Sequence, residues 1–201
     1  MARIEPLTLR EFPKEMRAAL AAMTPPNPRH AQPSTEGRPK ALNTLGTFAH
    51  HPELAKAYFT FNGHLLMATT LSERQRELLV LRVSVVRDSG YEWIQHVFMA
   101  RDAGLDDEEI SRVTFGPTAP FWDELDAAIL RSVDELIVDG EISASTWKVL
   151  AAHLDVQQIL DLIFTVGSYD LLARMFRSFE LEIDQDIKDL VAERAAKAET
   201  A

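Results

Sequence analysis

The chain is predicted to fold as an all-α bundle of about eight helices. Three observations lead there. Apolar residues recur at i, i+3, i+4 and i+7 in one segment after another, the spacing of a helix face, and no segment alternates apolar and polar residues as a half-buried strand does. No turn signal of the hairpin kind joins two apolar runs, and with only eight glycines the chain has little of the turn chemistry that strands need. Serine, threonine or aspartate stands just ahead of several apolar runs, where each can cap a helix.

Taken in order, Thr8 can cap a first helix reaching about Ala22, with Leu9, Phe12, Met16, Leu20 and Met23 as its stripe. Pro13 near its start allows the helix to begin there instead. Residues 24–40 (TPPNPRHAQPSTEGRPK) read as an extended loop, either an arm packed on another subunit or a lid carrying substrate contacts. A short helix over Ala41–Ala49 and a longer one from Pro52 to about Thr69 follow, and His64 on the latter is a candidate inward-facing group. A Ser72-capped helix runs to Val86. Arg87-Asp88-Ser89-Gly90 breaks it, with Gly90 supplying the permissive backbone, and a helix opens at Tyr91. Residues 106–113 form a short amphipathic helix, and 115–122, with Gly116, Pro117 and Pro120, form a loop. Helices are then expected over about 124–138, from Ser143 to Leu154, and from Val156 to about Leu181, the last interrupted by Gly167. Residues 186–201 are a charged, alanine-rich tail. Tyr91-Glu92 and Tyr169-Asp170 hint at a duplicated helical unit. The organisation is thus an N-terminal helix and arm (1–40), a helical domain (41–185) and the tail.

The stretch 71–104 (LSERQRELLVLRVSVVRDSGYEWIQHVFMARDAG) is the centre of this organisation. Leu78–Val86 is apolar on nearly every side, so its helix belongs inside the fold. Glu92 and His96 stand at i and i+4 and share a face of the next helix. Glu77 lies early in the preceding helix, which folds back on this one, so two carboxylates and an imidazole can meet at an apolar junction. Burial raises a carboxyl pKa and mutual proximity favours the charged forms, so a coupled Glu92–His96 pair is a candidate proton shuttle. The bland alternative is an ion-paired clasp between helices.

These residues resemble the carboxymuconolactone decarboxylase and alkylhydroperoxidase-D-like superfamily. Its redox members carry a glutamate, a Cys-x-x-Cys pair and a histidine four residues on. In this chain those positions are Glu77, Ser89, Glu92 and His96. The decarboxylase-like branch has Glu-x-x-x-His in place of the cysteines, as Glu92 and His96 do here, and the trailing Ala100–Ile110 segment is also similar. The resemblance is good over about 42–115 and weaker to about 185. It implies an alkylhydroperoxidase-D-like helical bundle, a decarboxylase-like lyase activity, and assembly as a trimer or hexamer.

Composition narrows the chemistry. The chain has no cysteine, which excludes a thiol peroxidase or disulfide-exchange cycle. A net charge of −10 argues against nucleic-acid partners, whose phosphates need Lys and Arg. No run has the roughly 18–20 apolar residues of a membrane span, and the N-terminus lacks a signal-peptide core, so a cytoplasmic location is expected. No glycine-rich phosphate loop with β/α alternation supports a nucleotide cofactor. The Glu/His types suit iron, manganese or zinc, but bundle metal sites use Glu-x-x-His, and here three residues intervene, so neither metal nor cofactor is expected. Ser89 lacks the context of a nucleophile elbow and reads first as an N-cap.

The reading that remains is acid–base chemistry, decarboxylation or proton transfer, on a small lactone or keto acid. His96 is the expected general acid, Glu92 tunes it, and Glu77 relays protons or orders a water. Tyr91, Ser89 and His64 are candidate substrate contacts, and Arg82, with Arg174 and Arg177, a candidate clamp for a carboxylate. The alternative is a non-catalytic oligomeric ligand-binding or scaffold protein. In either case the partners are a small molecule and further copies of the chain, with Leu172, Phe176 and Phe179 as candidate interface groups.

Overall fold

Helix α4 (Glu73–Val86) is the axis on which the other helices pack. Its start is fixed by a reciprocal cap, in which Gln75 N donates to Ser72 Oγ at 3.1 Å and Ser72 N donates to Gln75 Oε1 at 3.0 Å. Leu78, Leu79, Val80, Leu81 and Val83 are all fully buried. Neighbouring residues on a helix point in different directions, so this burial requires partners all round. Helices α5 (Gly90–Asp102), α6 (Asp107–Val113), α7 (Glu124–Val138) and α9 (Val156–Phe179) supply them. Each large apolar side chain so enclosed contributes about 1.5–3 kcal/mol.

The computed structural model describes residues 2–33 and 37–199 and contains, among them, ten α-helices and no strand. Besides those named, they are α1 (Met16–Ala21), α2 (Leu42–Phe48), α3 (Pro52–Gly63), α8 (Ala144–His153) and α10 (Gln185–Glu199). A π-turn, His64–Ala68, extends α3, and a single 3₁₀ turn covers Gly116–Thr118. The all-α expectation is met.

Several local expectations are corrected. The first helix begins only at Met16, because Pro13 has no N–H to give a helix started at Thr8. Thr8 instead donates its backbone N–H and hydroxyl to Glu11, both at 2.8 Å. The reversal between α4 and α5 is made by Asp88, at φ 51°, and not by Gly90, which is already helical. Asp tolerates this left-handed backbone better than most residues. Gly167 does not interrupt α9, which runs through it. Leu172 and Phe176 are buried, so they offer no free surface for another subunit. The start of the tail is anchored, with Ile187 only 1% exposed.

The N-terminal arm lies on its own chain. Arg3 N donates to Phe179 O at 2.8 Å and Leu7 N to Gly46 O at 3.1 Å. The loop after α1 runs over the π-turn, where Arg29 N and His30 N both donate to Met67 O, at 2.6 and 2.9 Å. Gly63 permits this close approach, since a Cβ there would lie 2.2 Å from Met23 O. Among the described residues no helix is long and apolar enough to cross a membrane.

Candidate functional site

Adjacent residues of α4 and one residue of α5 build the polar centre. Glu77 is completely buried, and its carboxylate holds two neighbours. His96 Nδ1 donates to Oε2 at 2.8 Å and Arg76 Nε to Oε1 at 2.9 Å. Burial alone would raise the Glu77 carboxyl, but the charges and hydrogen bonds of His96 and Arg76 outweigh it and hold the group below its ordinary range. Arg76 is itself buried and donates its remaining reach to Leu66 O at 2.6 Å. Tyr169 of α9 stands edge-on to His96, with ring centroids 5.0 Å apart.

Beside this centre lies a cavity of about 280 Å³. Helix α5 presents Tyr91, Glu92, Gln95, His96 and Met99 to it, one face at i, i+1, i+4, i+5 and i+8. Aromatic walls come from α2, α3 and α9 (Phe48, Tyr58, Phe59, Tyr169 and Phe176), and Pro33, Pro39 and Lys40 of the long loop close over it. The loop is pinned by Arg38, whose Nε donates to Asp102 Oδ2 at 2.6 Å, and by His30 Nε2, 3.0 Å from Leu71 O. Tyr91 OH donates to Asp184 Oδ2 at 2.6 Å and accepts from Thr44 Oγ1 at 3.0 Å, tying the cavity wall to the segment before α10.

Two polar groups on this wall have no protein partner. Both oxygens of Glu92, 1% exposed, and Oδ1 of Asn62 are buried and unbonded. Burial, assisted by the negative charge of Asp170, pushes the Glu92 carboxyl well above its usual range, which favours the neutral acid. The expected Glu92–His96 pair is therefore corrected: His96 pairs with Glu77 through Nδ1, and Glu92 stands apart facing the cavity. A carboxylate only accepts, so Nδ1 carries a proton.

The structure brings Glu77, His96, Glu92 and Tyr91 together. Three other candidates lie elsewhere. His64, half exposed, is bound at 2.8 Å to Asp161, which also accepts from Thr70. Arg82 donates twice to Asp134, at 2.6 and 2.8 Å, and to Val113 O at 3.0 Å. Ser89 is the residue before α5, with its Oγ buried, unbonded and turned to a shallow groove beside Phe176 and Leu181. Arg174 and Arg177 are likewise engaged, with Asp170 and Arg87 O. Arg76, Asn62, Tyr58 and Tyr169 were not candidates from sequence. Arg76 adjoins Glu77, which was a usable signal; Tyr169 drew notice only through the Tyr-acid repeat. Among the described residues no group of three His, Asp or Glu side chains is placed to hold a metal ion.

Residues 52–131, from α3 into α7, match the model of the Carboxymuconolactone decarboxylase family, and this span holds Glu77, Glu92 and His96. Match and fold together make the chain similar to the carboxymuconolactone decarboxylase and alkylhydroperoxidase-D-like superfamily, the match covering less than half of its residues. The fold is shared with a protein of unknown function from Agrobacterium tumefaciens, described as a putative antioxidant defence protein AhpD. It is 21% identical, with a TM-score of 0.64 over 69% of this chain and 95% of that one. A peroxidase-related protein with an alkylhydroperoxidase AhpD core from Ralstonia eutropha JMP134 is 16% identical, with a TM-score of 0.64 over 82% and 96%. The debrominase Bmp8 is 13% identical, with a TM-score of 0.70 over 94% and 96%. At these identities the likeness is one of fold. No curated protein matches the chain in sequence.

Proposed function

We propose that the cavity is the active site of a cofactor-free acid–base enzyme acting on a small, mainly apolar cyclic carbonyl compound, by proton transfer or decarboxylation. The observation that carries this reading is Glu92, a buried neutral carboxyl without a protein partner on the wall that His96 shares. A group so costly to bury unpaired is explained by a ligand that completes its hydrogen bonds. His96 supplies the base: Glu77 fixes the Nδ1–H tautomer and orientation, and Nε2 takes a proton from the carbon next to the substrate carbonyl. Glu92 donates its O–H to the carbonyl oxygen as enolate charge develops there. In the decarboxylation form, the electron pair of the C–C bond moves to that same oxygen, held by the Glu92 O–H, carbon dioxide leaves, and the carbanion takes a proton from Nε2 of protonated His96, which then takes one back from water. Each such proton transfer accounts for about 10²–10⁴-fold in rate.

The volume and aromatic walls support a single small ring. The only lysine or arginine lining the cavity, among the described residues, is Lys40 on the loop. A substrate carboxylate therefore belongs at the loop side, next to Lys40, and the ring inside. Bmp8, as a cysteine-to-alanine variant, binds 2,3,4-tribromopyrrole, a ring of this size. This chain has no cysteine, so only the scale of the ligand carries over.

Neutral cyclic ketones, lactones and β-keto acids, followed by proton NMR with wild type, His96→Ala and Glu92→Gln, test the reading. Turnover that falls at least about 100-fold in both variants is expected. Calorimetric binding of these compounds with no turnover would assign the cavity to a ligand-holding protein instead. Turnover that His96→Ala leaves intact would remove the mechanism.

A further inference from the structure

Ala55 and Phe59 are buried on one stripe of α3, and the helix repeat carries that stripe on to Asn62. There an amide replaces the apolar residue such a stripe calls for. Asparagine is a poor helix former, and burying its amide stabilises nothing unless the amide is bonded. Yet Asn62 is only 9% exposed, it lines the cavity, and its Oδ1 is buried without a hydrogen-bond partner. A position where the sequence breaks its own pattern in this way is where function is found.

Glu92 faces the same cavity from α5 with both oxygens unbonded. The polar groups around these two residues are engaged within the protein. One turn before Asn62, Tyr58 is bound to Ser168 Oγ at 2.9 Å. On α5, Tyr91 OH and Gln95 Nε2 both donate to Asp184, at 2.6 and 3.0 Å, and His96 Nδ1 donates to Glu77. The oxygens left facing the cavity from α3 and α5 are acceptors in want of a donor: Asn62 Oδ1 and, in either protonation state, at least one oxygen of Glu92. A plain ketone or lactone carries acceptors alone. It can take the O–H of neutral Glu92 but leaves Asn62 Oδ1 unpaired.

We infer that Asn62 is a specificity residue, and that the substrate is a ring bearing an O–H or N–H group as well as its carbonyl, with that hydrogen donated to Asn62 Oδ1. This rests on the acid–base reading of the site, in which Glu92 meets the carbonyl; the Asn62 contact adds a second anchor on another helix. Two anchors orient a ring that one alone would let turn, and so hold the carbon beside the carbonyl for His96. Discrimination has the same source. A ring without the donor leaves a buried acceptor unpaired, which disfavours it more strongly than the loss of a methylene contact does.

Ligand-observed NMR titration of matched rings tests this. δ-Valerolactam and δ-valerolactone differ by an N–H in place of a ring oxygen, and the hydroxycyclohexanone isomers differ from cyclohexanone by one O–H. The donor-bearing member of at least one pair is expected to bind wild type at least about 10-fold more tightly, the lactam pair reporting an N–H and the cyclohexanone pair an O–H. Asn62→Leu keeps the volume and removes the oxygen, and is expected to erase that preference while binding the donor-free ring at least as well as wild type does. Should Asn62→Leu misfold, Asn62→Ala, which removes the same oxygen without added bulk, carries the comparison. Equal binding within both pairs, a preference that the Asn62 variant retains, or no binding of any of these rings overturns the inference. The acid–base reading stands or falls separately. Donor preference without turnover would remove the chemistry and keep the role of Asn62; turnover of donor-free ketones as fast as donor-bearing ones would do the reverse.

Discussion

Glu92→Gln separates a buried neutral acid from a buried charge. Glutamine keeps the size of the side chain and is neutral, the form that burial favours for Glu92 in the folded protein. The two differ in the unfolded chain, where the glutamate ionises near its ordinary value of 4.5. Above that pH, folding must return a proton to Glu92, since its folded value is raised by burial and by Asp170. The folded state then binds more protons than the unfolded, so wild-type stability falls as pH rises from the unfolded value towards the folded one. Each pH unit in that window costs about 1.4 kcal/mol. Glutamine avoids this cost while leaving a buried polar group in the same place. At about 2–4 °C per kcal/mol for a chain of this size, the melting temperature of the variant is expected to gain on that of wild type by about 3–6 °C for each pH unit within the window. The measurement is paired thermal unfolding of both proteins across about pH 4–7, where other titrations cancel in the difference. A gap that stays flat with pH, or a variant less stable than wild type at pH 6, would refute a neutral Glu92.

Three other outcomes follow from the geometry. Glu77→Gln leaves Arg76 buried opposite an uncharged amide and is expected to cost about 3–5 kcal/mol at neutral pH. Glu77 is held below its ordinary value, so its contribution is lost as pH falls through that lowered value, and calorimetric melting should show the gap narrowing in acid. Gly63→Ala puts a methyl 2.2 Å from Met23 O and should lower stability in urea by about 1–3 kcal/mol by forcing the post-α1 loop off α3. Arg38→Ala releases the loop from Asp102 and should change stability by less than about 1 kcal/mol, yet quicken proteolytic cleavage within residues 24–40; unchanged cleavage would show that other contacts hold the loop.

Local rules in the sequence reached far into this molecule. The Ser72 cap, the apolar run Leu78–Val83 and the i, i+4 pair Glu92 and His96 are properties of neighbouring residues, and the helix repeat turns them directly into a buried α4 beside a polar α5. Glu77, Glu92, His96 and Tyr91 were legible as a cluster for that reason. Their pairing was not. Sequence spacing favoured Glu92 as the partner of His96, but which carboxylate meets Nδ1 depends on how α4 lies across α5. That crossing is set by the packing of α7 and α9 around α4. The same is true of Arg76, which only the fold turns inward to hold Glu77, and of Tyr169, more than seventy residues from His96 in the chain. His64 and Arg82 looked equally available in sequence. Asp161 and Asp134, each far away along the chain, engage them, because a charged or polar side chain settles on whichever partner the tertiary packing places within reach. A helix repeat records the face a residue occupies; what that face meets is decided by elements distant in sequence.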